Sequence, residues 1–278
     1  MKQYTRTQLI DRLKAKLATG KIIVAGGAGT GISAKFEEEG GADILTVFNS
    51  GRYRMHGLGS LSGWMAYGDA NAIALEMGER QILPITKEIP VICSVNGTDP
   101  TRVMSVFLKK VIETGFSGVN NFPTMGLIDG NFRATLEATG MGYDKEVDMI
   151  GLAHSMDIFT MAYAFTVEEA ISMAKAGCDL LLAHVGLTAG GSIGAVKTLT
   201  LDESAELIAQ MDTAVRIINP EIMVLCHGGP ISLPKDAEYI LNKVKCEGFV
   251  GASSLERLPV ERGIRKMTAA FAAIPYRK

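Results

Sequence analysis

Eight short apolar runs, separated by stretches of helical periodicity, recur along the whole chain and constrain its fold more than any other feature. They are Ile22–Ala25, Ile44–Phe48, Val91–Val95, Gly118–Phe122, Ile158–Phe165, Leu180–His184, Ile222–Cys226 and Phe249–Ala252. Apolar runs of about four to eight residues without polar alternation mark strands buried on both faces, and such strands belong to parallel sheets covered by helices. The segments between them carry helix signals of their own. Thr166 with Glu169, and Thr200 with Glu203, form capping boxes, and Asp99-Pro100 sets an N-cap before proline. Val103, Phe107 and Val111, like Ile240, Leu241 and Val244, give the one-sided stripe of a helix packed on a sheet. Gly41-Ala42-Asp43 and Gly177-Cys178-Asp179 each stop a helix and open a strand, a weak internal repeat. The alternation predicts class α/β and a (β/α)8 TIM barrel forming a single domain over residues 1–278. A helix around Thr7 to Ala18 would close its bottom, and an extra helix around Tyr143 to His154 would precede strand five. An open doubly wound sheet is the competing architecture, and eight regular units suit it less.

At 278 residues the chain has enough length for one barrel core without disulfides or structural metal. Its 28 Lys and Arg against 30 Asp and Glu leave a net charge of -2, which gives no global field for nucleic acid or a membrane surface. Cys93, Cys178, Cys226 and Cys246 lie far apart, outside any zinc or CxxC spacing, and are expected to be core thiols. With neither a signal-peptide stretch nor a long apolar span, the expected location is cytoplasmic.

Two connections are long for βα loops, Asn49 to Gly68 and Val185 to Leu199. In a barrel both fall on the C-terminal face, where active sites lie, so they are expected to be lids or binding loops, with oligomer contacts as the alternative. The same rim collects polar strand ends: Asn49, Ser50 and Arg52; Asn96 and Asp99; Asn120 and Asn121; His184 and His227. Amides can orient a substrate and stabilise an oxyanion, histidine can move a proton, and arginine can clamp a carboxylate. His227, His184, Asn96, Asp99, Asn120 and Asn121 are therefore the candidate catalytic residues. After strands seven and eight, Gly228, Gly229, Gly251, Ser253 and Ser254 offer backbone and hydroxyl donors for an anion. Gly26 and Gly27 open a glycine-rich turn that is either anion-friendly or simply a tight strand-to-helix connection. It is not a Walker loop, because Ile32 stands where the lysine is needed, and it lacks the third small residue and the acid of a dinucleotide fingerprint. No motif demands a cofactor. A Mg²⁺ ion would have to rest on Asp99, the one carboxylate directly after a strand. No lysine is placed for a Schiff base inside the barrel, and neither GxSxG nor HExxH occurs.

Six segments together, Val24 to Ser33, Tyr53-Arg54-Met55, Tyr67 to Asn71, Val95 to Pro100, Cys226 to Pro230 and Gly251 to Pro259, resemble the phosphoenolpyruvate hydrolase-like family over nearly the whole chain. The resemblance implies a barrel of the phosphoenolpyruvate/pyruvate superfamily, homo-oligomeric, making or breaking P–O, C–C or C–P bonds through enolate-like intermediates. It also implies kinship with the C-terminal barrel of a plant antiviral resistance protein, where the role is binding. The Lys-x-Cys-Gly-His signature and the metal-binding acids of the isocitrate lyase and phosphonomutase branch are missing. Gly26, Gly27, Asn96, Asp99, His227, Gly228, Gly229, Ser253 and Ser254 carry over as family site residues. The expected function is thus an enzyme on a small phosphorylated or carboxylated metabolite, and the alternative is a ligand- or nucleotide-binding regulatory barrel. A biosynthetic barrel acting on a phosphosugar would also use phosphate loops.

Overall fold

The computed structural model describes residues 1–276 and shows a closed barrel of eight parallel strands in sequence order. They are β1 (Ile23–Gly27), β2 (Ile44–Val47), β3 (Val91–Ser94), β4 (Gly118–Asn120), β5 (Phe159–Ala164), β6 (Leu180–His184), β7 (Met223–His227) and β8 (Gly248–Gly251). Pairing of Val24 with Phe249 and of Gly26 with Gly251 closes β1 onto β8. All eight apolar runs became strands.

Their continuous apolarity has two destinations. Alternate residues, such as Ile23, Phe159, Met161, Leu180, Leu182, Met223 and Leu225, fill the barrel interior as one cluster. Their neighbours, including Leu45, Cys93, Val119, Leu181 and Val224, form a second cluster under the helices. Helix α1 (Arg6–Ala18) starts with a complete capping box, Thr5 with Gln8, and pushes Leu9 and Leu13 into the interior cluster. It closes the bottom of the barrel as expected.

The outer helices are α2 (Gly31–Glu39), α3 (Asn49–Met55), α4 (Ala70–Met77), α5 (Met104–Thr114), α6 (Gly130–Ala138), α7 (Asp144–Ser155), α8 (Val167–Lys175), α9 (Leu201–Ile218), α10 (Pro234–Lys243) and α11 (Arg257–Ala272). Two helices separate β4 from β5, so an extra one is present. The segment expected to be the insertion is α7, which buries Met149, Ile150 and Ala153 and takes the regular place in the ring. The added helix is α6, which buries no residue. Its polarity hid it in a search for apolar stripes. The first long connection is also structured: α3 follows β2 at once, then a 3-10 turn at Ser60–Trp64. The four cysteines are free, three of them buried. Among the described residues no helix is long and apolar enough to cross a membrane.

Candidate active site

The last inward position of each strand faces the mouth, and alternation decides what stands there. On β5, β6 and β7 the inward series run Phe159, Met161, Tyr163, then Leu180, Leu182, His184, and Met223, Leu225, His227. Adjacent register places His184 beside His227. Their rings lie 4.4 Å apart, and Tyr163 sits 5.6 Å from each. Phe122 lies 4.7 Å from Phe48, 4.5 Å from Trp64 and 5.5 Å from Tyr163, so these rings continue the same aromatic lining. These rings line a cavity of about 270 Å³ that Ser50, Arg54, Ser253 and Arg257 also line.

Both histidines are buried, and burial holds both imidazoles neutral. His184 is pushed well below its ordinary range by desolvation and then by the neighbouring His227. His227 is brought down to about 3 by desolvation and then by the Arg54 charge. The Gly186 amide donates to His184 Nδ1 at 3.0 Å, which leaves the ring proton on Nε2. His227 Nδ1 and the Tyr163 hydroxyl are buried without a protein partner. A base whose folded pKa is depressed supports stability fully above its unfolded value, and that support is lost as pH falls toward the folded one. Stability is therefore expected to decline as pH drops from about 6.5 toward 3. Urea titrations across that range should show a shallower decline in His227→Asn; equal slopes would contradict the buried neutral ring.

A buried ion pair underlies the mouth. Arg54 donates to Glu256 Oε2 through Nη2 at 2.8 Å and Nε at 3.1 Å, and Nη2 also reaches the Gly27 carbonyl at 3.1 Å. Glu256 Oε1 accepts the Gly29 amide at 2.6 Å. The pair thus ties the glycine-rich turn to the β8 loop. Arg257 bonds Glu261 at 2.8 Å and the Gly190 carbonyl at 3.0 Å, and Glu261 holds Ser192, so the β6 loop is fastened over the cavity.

Of the residues expected at the rim, His184, His227, Ser50 and Ser253 meet in this cavity. Arg52 does not: it pairs with Glu76 on α4 at 2.7 Å. The two arginines of α3 lie about 200° apart around the helix, so only one can face the mouth. Asn49 turns away to donate to Gly63 and pin the long loop. Asn96 and Asp99 line a separate cavity of about 420 Å³ beyond Trp64. Asn120 is fully buried inside the barrel with both amide atoms unpartnered, and Asn121 points outward to Glu146 and the Tyr163 backbone.

The glycines have packing duties. A side chain at Gly26 would strike the Glu37 carboxylate outside the barrel, and one at Gly27 would meet Ala252 and Phe48. The Gly29 amide is taken by Glu256 and the Ala28 amide by the Thr46 carbonyl, so these two donors of the turn are already engaged. The Gly229 amide likewise donates to Gly186 at 2.7 Å, which removes it from anion binding. Gly228 has φ +84, and a Cβ there would overlap the Gly186 carbonyl. Gly228→Ala is expected to cost about 1–3 kcal/mol of stability, read by denaturant titration. A neutral outcome would mean the loop can shift freely. Gly251 packs against Leu255, and Ser254 faces the outer side of the barrel.

The donor set does not fit Mg²⁺. That ion takes hard oxygen ligands, chiefly carboxylates, and Asp99 already accepts from Thr101, Asn71 and Arg102. Those bonds outweigh its desolvation and hold its carboxyl at about 2. Among the described residues no three His, Cys, Asp or Glu converge.

Sequence reasoning passed over Arg54, Tyr163, Glu256 and Arg257. Arg54, Glu256 and Arg257 stood within the recognised segments, but only the helical phase of α3 and the β8 loop fold bring them to the mouth. Tyr163 lay inside an apolar run as one more hydrophobe, and counting alternate residues back from His184 and His227 would have flagged it.

The chain is 51% identical over 270 residues to the ToMV susceptible protein tm-1(GCR26) of Solanum lycopersicum, covering 97% of this chain and 36% of that protein. It therefore spans about a third of that relative's length. The crystal structure of phosphonopyruvate hydrolase with oxalate and Mg²⁺ superimposes with a TM-score of 0.61 at 15% identity, over 96% of this chain and 92% of that one. That of 2,3-dimethylmalate lyase gives 0.62 at 17% identity, over 99% and 91%. At such identity the structures share the fold. The family match is independent of them: the phosphoenolpyruvate hydrolase-like model aligns with residues 8–274, and the chain belongs to that family.

Proposed function

We propose that this barrel is an enzyme acting on a small carboxylated or phosphorylated metabolite of the phosphoenolpyruvate/pyruvate type, by P–O hydrolysis or C–C or C–P cleavage. The observation that carries the reading is the pair of buried neutral imidazoles, His184 and His227, at the mouth of a closed barrel. A neutral imidazole N–H in a water-poor site is a strong donor to an oxygen that gains negative charge, as an enolate oxygen does. An anion entering beside the rings would also raise their proton affinity, so His227 would become able to accept a proton only with substrate in place. Ser50 and Ser253 supply hydroxyls for the anionic end. At about 270 Å³ the cavity is smaller than the roughly 300–1,000 Å³ usual for ligand sites, which favours a substrate of a few carbons. Shared fold with a phosphonopyruvate hydrolase and a dimethylmalate lyase is in keeping with that size.

One observation favours the binding-only alternative: no aspartate, glutamate or lysine is among the described residues that line the cavity, so proton transfer would fall to the histidines alone. The two readings part in one experiment. The protein is incubated with phosphoenolpyruvate, phosphonopyruvate, oxaloacetate and a 2-alkylmalate, Mg²⁺ present, while ¹H and ³¹P spectra follow products. Turnover by the wild type that disappears in His227→Ala supports the enzyme. Tight binding of one compound with no product from either protein leaves a regulatory barrel.

A further inference from the structure

The mouth cavity is amphipathic, and its polar and apolar linings come from different parts of the fold. His184 and His227 end their strands, Ser50 and Arg54 stand on α3, and Ser253 and Arg257 follow β8. The connections after β2, β4 and β6 bring large apolar side chains to the same space: Leu61 and Trp64, Phe122 and Leu127, Leu187 and Ile193. Trp64 donates its indole N–H to the Thr124 carbonyl at 2.7 Å, so the ring has only carbon surface left for a ligand. Its contact with Phe122, and that of Phe122 with Phe48, holds this surface in place.

The polar groups are close to electroneutral. Glu256 matches the charge of Arg54 at 2.8 Å, and Glu261 matches that of Arg257 at 2.8 Å. Burial keeps both imidazoles uncharged. A ligand therefore meets neutral donors, the Ser50 and Ser253 hydroxyls and the His184 Nε2–H. Such donors can hold one carboxylate through hydrogen bonds strengthened by its charge. A second negative charge has no counter-ion here. Placed among leucines and Trp64 it would lose its water without a partner, a far larger penalty than one missing hydrogen bond. Hydrocarbon gains from the same surroundings, because it leaves water on entering them.

We propose, resting on the enzyme reading of this site, that the substrate is a monocarboxylic 2-oxo acid bearing an apolar alkyl or aryl substituent on C3, and not a phosphate ester or a dicarboxylate. Its carboxylate lies against the serine hydroxyls, its 2-oxo oxygen against the His184 N–H, and its substituent against Trp64, Leu127 and Leu187, which set specificity. The step common to this class needs no co-reactant but water. A C3 proton passes to a His227 nitrogen, the C3–H electron pair moves into the C2–C3 bond, and the carbonyl π pair moves onto the 2-oxo oxygen, where the imidazole N–H meets it. Return of a proton from solvent to C3 reverses the step.

Trp64 is the only tryptophan of the chain, so its fluorescence reports occupancy of the cavity. Titrations with 4-methyl-2-oxopentanoate, pyruvate, oxaloacetate and phosphoenolpyruvate, repeated by calorimetry, should rank the branched acid tighter than each of the others by about 10-fold or more. In D₂O, proton NMR should show its C3 protons exchanging faster than in buffer alone, and His227→Ala should abolish the excess. Leu127→Arg, at a half-buried loop position, should weaken the branched acid by about 10-fold and strengthen oxaloacetate by about as much. A merely loosened loop would not reverse the order. Turnover of oxaloacetate or phosphoenolpyruvate, bound as tightly as the branched acid or more so, overturns the substrate class and leaves the enzyme standing. Selective binding of the branched acid without exchange upholds the ligand class and removes the enzyme. No binding of the branched acid at millimolar concentration, or an unchanged order in Leu127→Arg, overturns the class as well.

Discussion

Replacing Glu256 by Ala is expected to destabilise the protein by about 3–5 kcal/mol, because it leaves the Arg54 guanidinium buried without its counter-charge. The side chains of Arg54 and Glu256 are 2% and 0% exposed, so water cannot take the partner's place. The same change frees the Gly29 amide and loosens the junction of the first turn with the β8 loop. Urea denaturation measures the loss, with the slope of the transition confirming that the unfolded state is unchanged. Replacing Arg54 and Glu256 together by leucines should recover much of it, since the desolvated pair is then absent altogether. The control is Glu76→Ala, which removes the half-exposed partner of Arg52 and should shift the midpoint far less. Similar losses for Glu76 and Glu256 would show that the two arginines of α3 are not distinguished as the geometry requires.

Under the proposed reaction, His227→Ala should lower kcat by about 10²–10⁴, the usual contribution of a placed proton donor or acceptor. Loss of folding cannot mimic this if the variant keeps its melting profile, and the ring is neutral, so its removal strands no charge. A second readout is proton linkage. Because His227 rests at about 3 in the free protein and an anion would raise it, substrate binding to the wild type should be accompanied by proton uptake in mildly acidic buffer. Calorimetry in buffers of different ionisation heat would detect it, and His227→Ala should reduce it. Unchanged kcat with unchanged proton uptake would remove His227 from the chemistry.

How much of this was readable beforehand follows from which residues carry local signals. The strands were legible because burial on both faces forces unbroken apolar runs, as in Leu180 to Ala183. The capping box at Thr200 and the cap at Thr166 were legible because a hydroxyl satisfying an orphan N–H is a contact within one helical turn, although Glu169 takes the Phe165 amide and so does not complete the box expected at Thr166. Helix α6 was not, since it buries nothing and leaves no stripe. The two histidines were legible as a pair because successive strands that end alike deliver their last inward residues to one place.

Sequence alone thus determined the barrel, its closing helix and the meeting of His184 with His227, all consequences of strand period and order. Only tertiary structure decided that Arg54 and not Arg52 faces the mouth, that the glycine-rich turn serves Glu256, and that Asp99 looks into another cavity. The physical reason is range. Period and capping are set by neighbours a few residues away, whereas Gly29 meets Glu256 across 227 positions of sequence, and Arg54 meets it across 202. Contacts of that span exist only once the ring has closed.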